Sequence, residues 1–390
     1  MKTEPPGKKR QTTTGTDKNI IPVLAKALDL LDSIDPEGEP TNLAQIVQRT
    51  GISQTTAYRI LCTLSSRGYL HRTGTEYRLN RRRRRPVIGF ANCSRQIALA
   101  VDIQESLETA ARAMGVSLLV WDNARNAEIA LKNAREMVRQ KVDIAIEFQL
   151  YEQIAPVILD IFAHAGIPLI AVVNPIYGTQ YFGVNNYRAG LSAGVALSEY
   201  AKRHWQSPPS TVVLIESPRA GRMVQSRLVG AIQALEGRLG TLKGVPIQHI
   251  DGGGERAPSR VAIANFLRGR SLKRVMIIAI NDESAIGAAE AAKHLRTRGE
   301  IAIVGYGGST EILELIDAQA SPCIGTVSFH AESYGPALIN FALPSSQHRA
   351  TPLAHYIPHE YLDKESLAVR SQPNSVLAKD QCVKAAAKGT

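Results

Sequence analysis

The alternation of hydrophobic and polar positions changes rhythm once along the chain. Over residues 19–79 the period is helical. "VLAKALDLLDSI" puts Leu24, Ala27, Leu28 and Leu31 at i, i+3, i+4 and i+7, which predicts an amphipathic helix. "DPEGEP" breaks it. In "TNLAQIVQRTG", Asn42 is placed to cap a second helix, with Gln45 three residues on and Gly51 as the stop. "ISQTTAYRILCTLSSRG" begins at a Ser53 cap, ends at Gly68 and carries an apolar stripe of Ala57, Ile60, Leu61 and Leu64. "YLHRTGTEYRL" reads as two short strands around Thr73-Gly74. Helix, helix, tight turn, helix and hairpin in this order is the winged helix-turn-helix plan. A third helix with polar residues on its exposed first turns fits the DNA major groove, and a basic hairpin can lie along phosphates.

After Pro86 strands and helices alternate. Strands are predicted at "VIGFA", "VSLLVWD", "VDIAIEF", "IPLIAVV", "TVVLIES", "VPIQHID", "RVMIIAI", "IAIVGY" and "IGTVSF". Helices are predicted around 96–114, at "AEIALKNAREMVRQ" and "IAPVILDIFAHAG", at 222–237, near 258–268 and at 283–296. This predicts an α/β fold with parallel sheets covered by helices on both faces, and its length calls for two lobes. Ligands in such sheets sit beyond the carboxyl ends of the strands. The residues just past those ends are Asn92, Ser94 and Arg95; Asp122 and Asn123; Glu147 and Gln149; Asn174; Asn281 and Asp282; and Tyr306. Turns and caps also use Asp and Asn, but as a set these carboxylates and amides suit a polyhydroxylated ligand.

Charge sharpens the division. The formal net charge is +11. Residues 1–85 hold 16 Lys and Arg against 8 Asp and Glu, whereas the other 305 hold 30 against 27. The basic excess therefore sits at the end that reads as DNA-binding. Its densest point is Arg81, Arg82, Arg83, Arg84 and Arg85, directly before the first α/β strand. Such a run can neutralise phosphates, enter a narrow minor groove, or serve as a solvated linker held extended by self-repulsion.

Residues 20–79 resemble the isocitrate-lyase-regulator (IclR) type of winged helix, through "VLAKALDLLDSI", "NLAQIVQRTGISQTTAYRILCTLSSRGYLHRTG" and "EYRL". The resemblance implies that the third helix enters the major groove, with Ser53, Gln54, Thr55, Thr56, Tyr58 and Arg59 facing DNA and His71 and Arg72 on the wing. Residues 87–365 resemble the type I periplasmic-binding-protein fold, as in ribose-binding proteins and the effector domains of Lac-repressor-like regulators. The matching phrases are "VDIAIEF", "AGIPLIAV", "YFGVNNYRAG", "QSRLVGAIQAL", "IIAINDESAIGAAEA" and "IAIVGYGG". This second resemblance implies that Arg227, Asn281 and Asp282 line a ligand cleft. An Arg fork there can bridge vicinal hydroxyls or a carboxylate.

The chain also departs from the pattern of sugar binders. Gly307 and Val173 stand where that pattern has acidic residues, Asn185 where Asp is usual, and Phe329 where ribose-type proteins have an amide. The lost carboxylates argue against an ordinary pentose or hexose, and Glu147, Asp122 and Asp282 are the candidate replacements. No hinge helix of the Lac-repressor kind is legible at the seam, so that coupling mechanism is not carried over.

Other chemistry finds little support. "DGGGERAP" at 251–258 lacks the spacing of a dinucleotide or phosphate loop and reads as a connection. The histidines show no metal spacing, and no GxSxG elbow is present. Cys62, Cys93, Cys323 and Cys382 form no CxxC and read as reduced thiols. Residues 1–18 are polar, without an apolar signal core, and no run is long enough to span a membrane, so the expectation is a cytoplasmic protein.

The expected organisation is a disordered tail (1–18), a winged helix-turn-helix (19–80), a basic linker (81–86), a ligand-sensing domain (87–365) and a flexible tail (366–390). The expected function is a ligand-responsive transcription regulator. Its partners would be operator DNA, a small sugar-like effector and a second copy of itself, with no cofactor, metal or catalysis. The alternatives are a sugar-phosphorylating enzyme with an attached DNA-binding module, which would need a nucleotide site, and a plain solute-transport binding protein.

Overall fold

In a computed structural model, residues 21–35, 39–79, 86–205, 207–240, 242, 244–270, 272–295, 299–318, 320–346 and 351–370 are described. The chain divides into two compact units, 1–85 and 86–390.

The first unit contains α1 (Pro22–Asp32), β1 (Thr41–Asn42), α2 (Leu43–Thr50), α3 (Gln54–Ser66), β2 (Leu70–Thr73) and β3 (Glu76–Leu79). α2 carries a complete capping box: the Gln45 N–H donates to Asn42 Oδ1 and the Asn42 N–H to Gln45 Oε1, both at 3.0 Å. Gly51 closes it in the left-handed region at φ 67°. Ser53 stands at the N-cap of α3 but makes no capping bond, donating instead to Thr56 Oγ1. Ala57, Ile60, Leu61 and Leu64 of α3 are buried with Ile46 and Tyr77. The hairpin turns at Gly74, with φ 61°. β1 adds a third strand to it, in the order β1-β3-β2.

The stripe read on α1 is rotated from its expected position. Leu30 and Ile34 are buried and Ala27 and Leu31 half-buried, whereas Leu24 and Leu28 are more than half exposed. α1 has apolar residues on more than one face, and packing against α2 and α3 selects the one that includes Leu30.

The second unit continues with β4 (Val87–Asn92), α4 (Ala98–Met114), β5 (Ser117–Asp122), α5 (Ala127–Arg139), β6 (Ile144–Glu147), α6 (Ala155–His164), β7 (Leu169–Val172), β8 (Gln180–Gly183) and α7 (Asn186–Tyr200). Next come β9 (Thr211–Glu216), α8 (Arg222–Leu239), β10 (Ile247–Asp251), α9 (Arg256–Leu267), β11 (Arg274–Ala279), α10 (Asp282–His294), β12 (Glu300–Gly307) and α11 (Thr310–Asp317). β13 (Cys323–Ser328), α12 (Tyr334–Ser346), β14 (Ala354–Tyr356), β15 (Glu360–Leu362) and α13 (Lys364–Arg370) complete it.

Two six-stranded sheets result, ordered β14-β8-β7-β6-β4-β5 and β10-β9-β11-β12-β13-β15. All pairings are parallel except β13 with β15. Each sheet is buried on both faces, which is why its strands are nearly continuous apolar runs. In the first lobe Ile88, Phe90, Ile146 and Val172 share a core with α4 and α12, while Ala91, Ala145 and Leu169 meet α5 and α6. In the second, Val212, Leu214 and Ile278 share a core with α7 and α8, while Val213, Ile277 and Ile303 meet α9 and α10. The chain crosses between lobes after β8, after β13 and after β14.

α13 occupies part of the segment read as tail. Asp363 caps it, accepting from the Ser366 N–H at 2.9 Å and donating its own N–H to Ser366 Oγ. Arg370 pairs with Glu360 of β15.

Candidate functional site

Two surfaces follow from these elements. On the first unit, Ser53, Gln54, Thr55, Tyr58 and Arg59 are exposed along the first turns of α3, and Thr56 is half-buried. The apolar stripe that anchors α3 is what turns these residues outward. His71 and Arg72 are exposed on β2, where Arg72 Nε donates to the Gly74 carbonyl and its guanidinium lies 5.7 Å from the Tyr77 ring centroid. That arrangement stiffens the wing. The arginine run at 81–85 lies outside the described residues.

The second surface is a cleft of about 790 Å³ between the lobes of the second unit, open to solvent. One wall is mostly apolar, with Ile97, Leu99, Phe148, Leu150 and Val173. The other is polar, with Ser217, Arg219, Arg227, Asn281, Asp282, Tyr306 and Ser309. Of the expected ligand residues, Asn174, Arg227, Asn281, Asp282 and Tyr306 line this cleft.

Arg227 is placed by helix packing. Gly190 and Gly194 of α7 and Gly230 of α8 each leave no room for a Cβ against the facing helix backbone, so the two helices touch closely. Arg227 Nε then donates to Asn186 Oδ1 at 2.6 Å and Nη1 to the Ile280 carbonyl at 2.9 Å. Its guanidinium stacks 4.8 Å from the Phe329 ring centroid. Burial holds its pKa below the ordinary arginine value. Nη2 has no partner among the described residues, and neither does the Tyr306 hydroxyl.

Asp282 begins α10, yet its carboxylate is engaged by the backbone across from it. Oδ2 accepts from the Gly308 and Ser309 N–H groups at 2.7 and 2.9 Å, and Oδ1 from Thr326 Oγ1 at 2.6 Å. Burial nonetheless raises its pKa from the usual carboxylate value. A Cβ at Gly305 or Gly307 would lie 2.6 or 2.7 Å from those oxygens. Gly307, with φ 144°, is thus required by the Asp282 carboxylate packed against it, which accounts for the missing acidic residue at that position.

The remaining expected residues are not part of the cleft lining. Asn92 donates to the Ala100 carbonyl and to Gln104 Oε1, and Ser94 Oγ accepts from the Gln96 N–H. Asp122 caps the Ala124 N–H at 2.7 Å, and Arg95 is exposed. Glu147 is fully buried under the β5–α5 turn. Its Oε1 accepts from Asn123 Nδ2 at 2.8 Å and Gln149 Nε2 at 3.3 Å. Burial pushes its pKa up to about 8, against those two hydrogen bonds, so it is mostly protonated at neutral pH. Phe329 meets the cleft only through Arg227. Neither Glu147 nor Asp122 lines the cleft.

Arg125, Ser217, Arg219, Glu255 and Glu283 also line the cleft. Arg125 of the first lobe pairs with Glu255 of the second, and Arg219 pairs with the same carboxylate while lying 5.5 Å from the Tyr151 ring centroid. The lobes therefore meet at the rim. The strand-end rule applies equally to β9 and β10, and reaches Ser217, Arg219 and Glu255. Three rim residues, Ala124, Arg125 and Val173, have φ of 49°, 53° and 65°. For a β-branched valine this is strained. It is held by the Val173 N–H to the Phe182 carbonyl and the Tyr181 hydroxyl to the Val173 carbonyl.

The family model described as a periplasmic binding protein domain matches residues 88–343. The chain belongs to this family. A second model, the IclR helix-turn-helix domain, matches residues 23–74. Among solved structures, the periplasmic-binding-protein unit resembles an ABC-transporter solute-binding protein of Actinobacillus succinogenes 130z with bound D-allose, at 20% identity and TM-score 0.63, covering 72% of this chain and 98% of that one. It also resembles one of Bacillus halodurans C-125 with bound myo-inositol, at 18% identity and TM-score 0.62, covering 73% and 96%. A third, from Mycobacterium smegmatis with bound glycerol, shows 18% identity and TM-score 0.66, covering 74% and 97%. At these identities the shared property is the two-lobed fold. No curated protein matches the chain. Among the described residues no helix is long and apolar enough to cross a membrane, and no His, Cys, Asp and Glu cluster suits a metal ion.

Proposed function

We propose that the protein is a transcription regulator whose two-lobed unit binds a small polar, sugar-like molecule and thereby changes operator affinity. The carrying observation is the presence in one chain of an IclR-type helix-turn-helix, with its polar α3 face exposed, and a periplasmic-binding-protein cleft holding unpartnered polar groups. α3 would read base edges through Gln54, Thr55, Tyr58 and Arg59, with His71 and Arg72 along the backbone. The arginine run would bind further phosphates. A second copy would double the number of base pairs read. The exposed apolar residues Leu24 and Leu28 of α1, with Ile21 at its N-cap, give such a copy a surface to cover.

Coupling is reciprocal: a molecule that alters operator affinity must bind the operator-bound protein with correspondingly altered affinity. The test begins by selecting an operator from a random duplex library with the full chain. Compounds that stabilise the protein thermally are then added to gel-shift titrations. The expected result is a shift in operator Kd of about 5–150-fold. Compounds that bind the cleft but leave operator Kd unchanged would refute the reading.

A further inference from the structure

Resting on the reading that the cleft takes a small hydroxylated molecule, we infer that this molecule carries a carboxylate, held between the N-terminus of α4 and the Arg227–Tyr306 floor.

Helix α4 runs for 17 residues and begins at the cleft wall, where Ile97, Ala98 and Leu99 line the cavity. Ile97, at its N-cap, supplies no side-chain bond, and its first turn holds no acidic residue. The Ala98 and Leu99 N–H groups have no partner among the described residues. An uncapped N-terminus carries about half a positive charge and presents free N–H donors.

The second observation lies in the opposite lobe and is independent of the helix. Arg227 and Tyr306 are each more than nine-tenths buried, line the same cleft, and keep Nη2 and the phenolic hydroxyl without partners among the described residues. Most acceptors nearby are already engaged, Glu283 of the lining being the carboxylate that makes no hydrogen bond or ion pair among the described residues. Asp282 accepts three hydrogen bonds. Glu255 pairs with two arginines. Asn281 donates to the Gly254 carbonyl and accepts from the Ser284 N–H. At the Arg227–Tyr306 floor and at the α4 N-terminus the groups left free are donors, and an isolated arginine donor in a buried site is most stabilised by an anionic oxygen.

A carboxylate suits this set better than a phosphate. Nε and Nη1 of Arg227 are taken, so a single guanidinium nitrogen remains. Two oxygens, one toward Nη2 and the Tyr306 hydroxyl and the other toward the α4 N–H groups, match a planar monoanion. A dianionic phosphate would need further cations, and Arg125 and Arg219 are paired with Glu255. The ligand class is therefore a sugar acid.

The test uses the full chain and matched probes: D-glucose, D-galactose, D-gluconate, D-galacturonate and D-glucose 6-phosphate, read by thermal shift and calorimetry. The expected result is that a carboxylate binds at least tenfold more tightly than its neutral partner and than the phosphate. Tyr306→Phe removes a hydroxyl with no partner, so the protein alone should be no less stable. Ala98→Asp places an acid where the helix dipole favours it. Both variants should weaken carboxylate binding about tenfold or more while keeping the unliganded melting temperature. Neutral sugars or the phosphate binding as tightly as the acids would overturn this inference alone. Undiminished carboxylate binding by both variants would also overturn it. No binding by any probe would overturn it together with the sensing role on which it rests.

Discussion

Replacing Glu147 with Gln should change how stability depends on pH. The folded-state pKa of Glu147 is about 8, raised by burial, against 4.5 for an ordinary glutamate. Between these values the folded protein holds a proton that the unfolded chain releases. The unfolded state thus binds fewer protons, and stability falls as pH rises through the window, with slope near 1.4 kcal/mol per unit. From pH 5.5 to 7.5 the loss is about 2.5 kcal/mol. Glutamine keeps Oε1 as acceptor for Asn123 and Gln149 and cannot ionise in either state. Its second atom replaces Oε2, which has no partner among the described residues either. The stability gained by Glu147→Gln should therefore grow with pH over that range and level off above about pH 8. Both tryptophans, Trp121 and Trp205, lie in the unit that contains Glu147, so fluorescence-detected unfolding reports on that unit. His355 and His359, whose pKa values burial lowers, tilt the wild-type profile the other way but cancel in the difference. A difference between variant and wild type that stays flat from pH 5.5 to 7.5 would refute the buried, protonated carboxyl.

Arg59→Ala should weaken binding to the selected operator by about tenfold or more while leaving the melting profile intact, and unchanged affinity in gel-shift titration removes Arg59 from the interface. Replacing the arginines at 81–85 with Ser should flatten the dependence of log K on log salt by about 0.9 for each phosphate the run neutralises, with affinity falling similarly on operator and unrelated DNA. An unchanged slope would leave the run as a spacer. Gly305→Ala puts a methyl group 2.6 Å from Asp282 Oδ1 and should cost about 1–3 kcal/mol of stability, measured by denaturant unfolding of the same unit. A variant as stable as wild type would mean that Asp282 can move aside at no cost.

Local interactions made much of this fold legible from the sequence. The α2 capping box, the glycine stops, the α3 stripe and the apolar strand runs depend on neighbours within a few residues, and they appear at or within a few residues of where the sequence places them. The late elements were less legible for a physical reason. α12 is apolar around much of its circumference and buried, so it lacks the polar face that marks a surface helix. β14 and β15 span three residues each, and only pairing with β8 and β13 makes them strands. The candidate site divides in the same way. Strand ends nominated polar residues, but which of them reach the cleft is set by the direction of each side chain. Glu147 lies on the face of β6 that turns toward α5, whereas Phe148, one residue on, reaches the cleft. The pairing of Arg125 with Glu255, and the placing of the α4 N-terminus and Arg227 on one cleft, bring together residues 130 positions apart in sequence, give or take one. No local pattern encodes such a meeting, because it exists only once the crossings between lobes have set the two walls face to face.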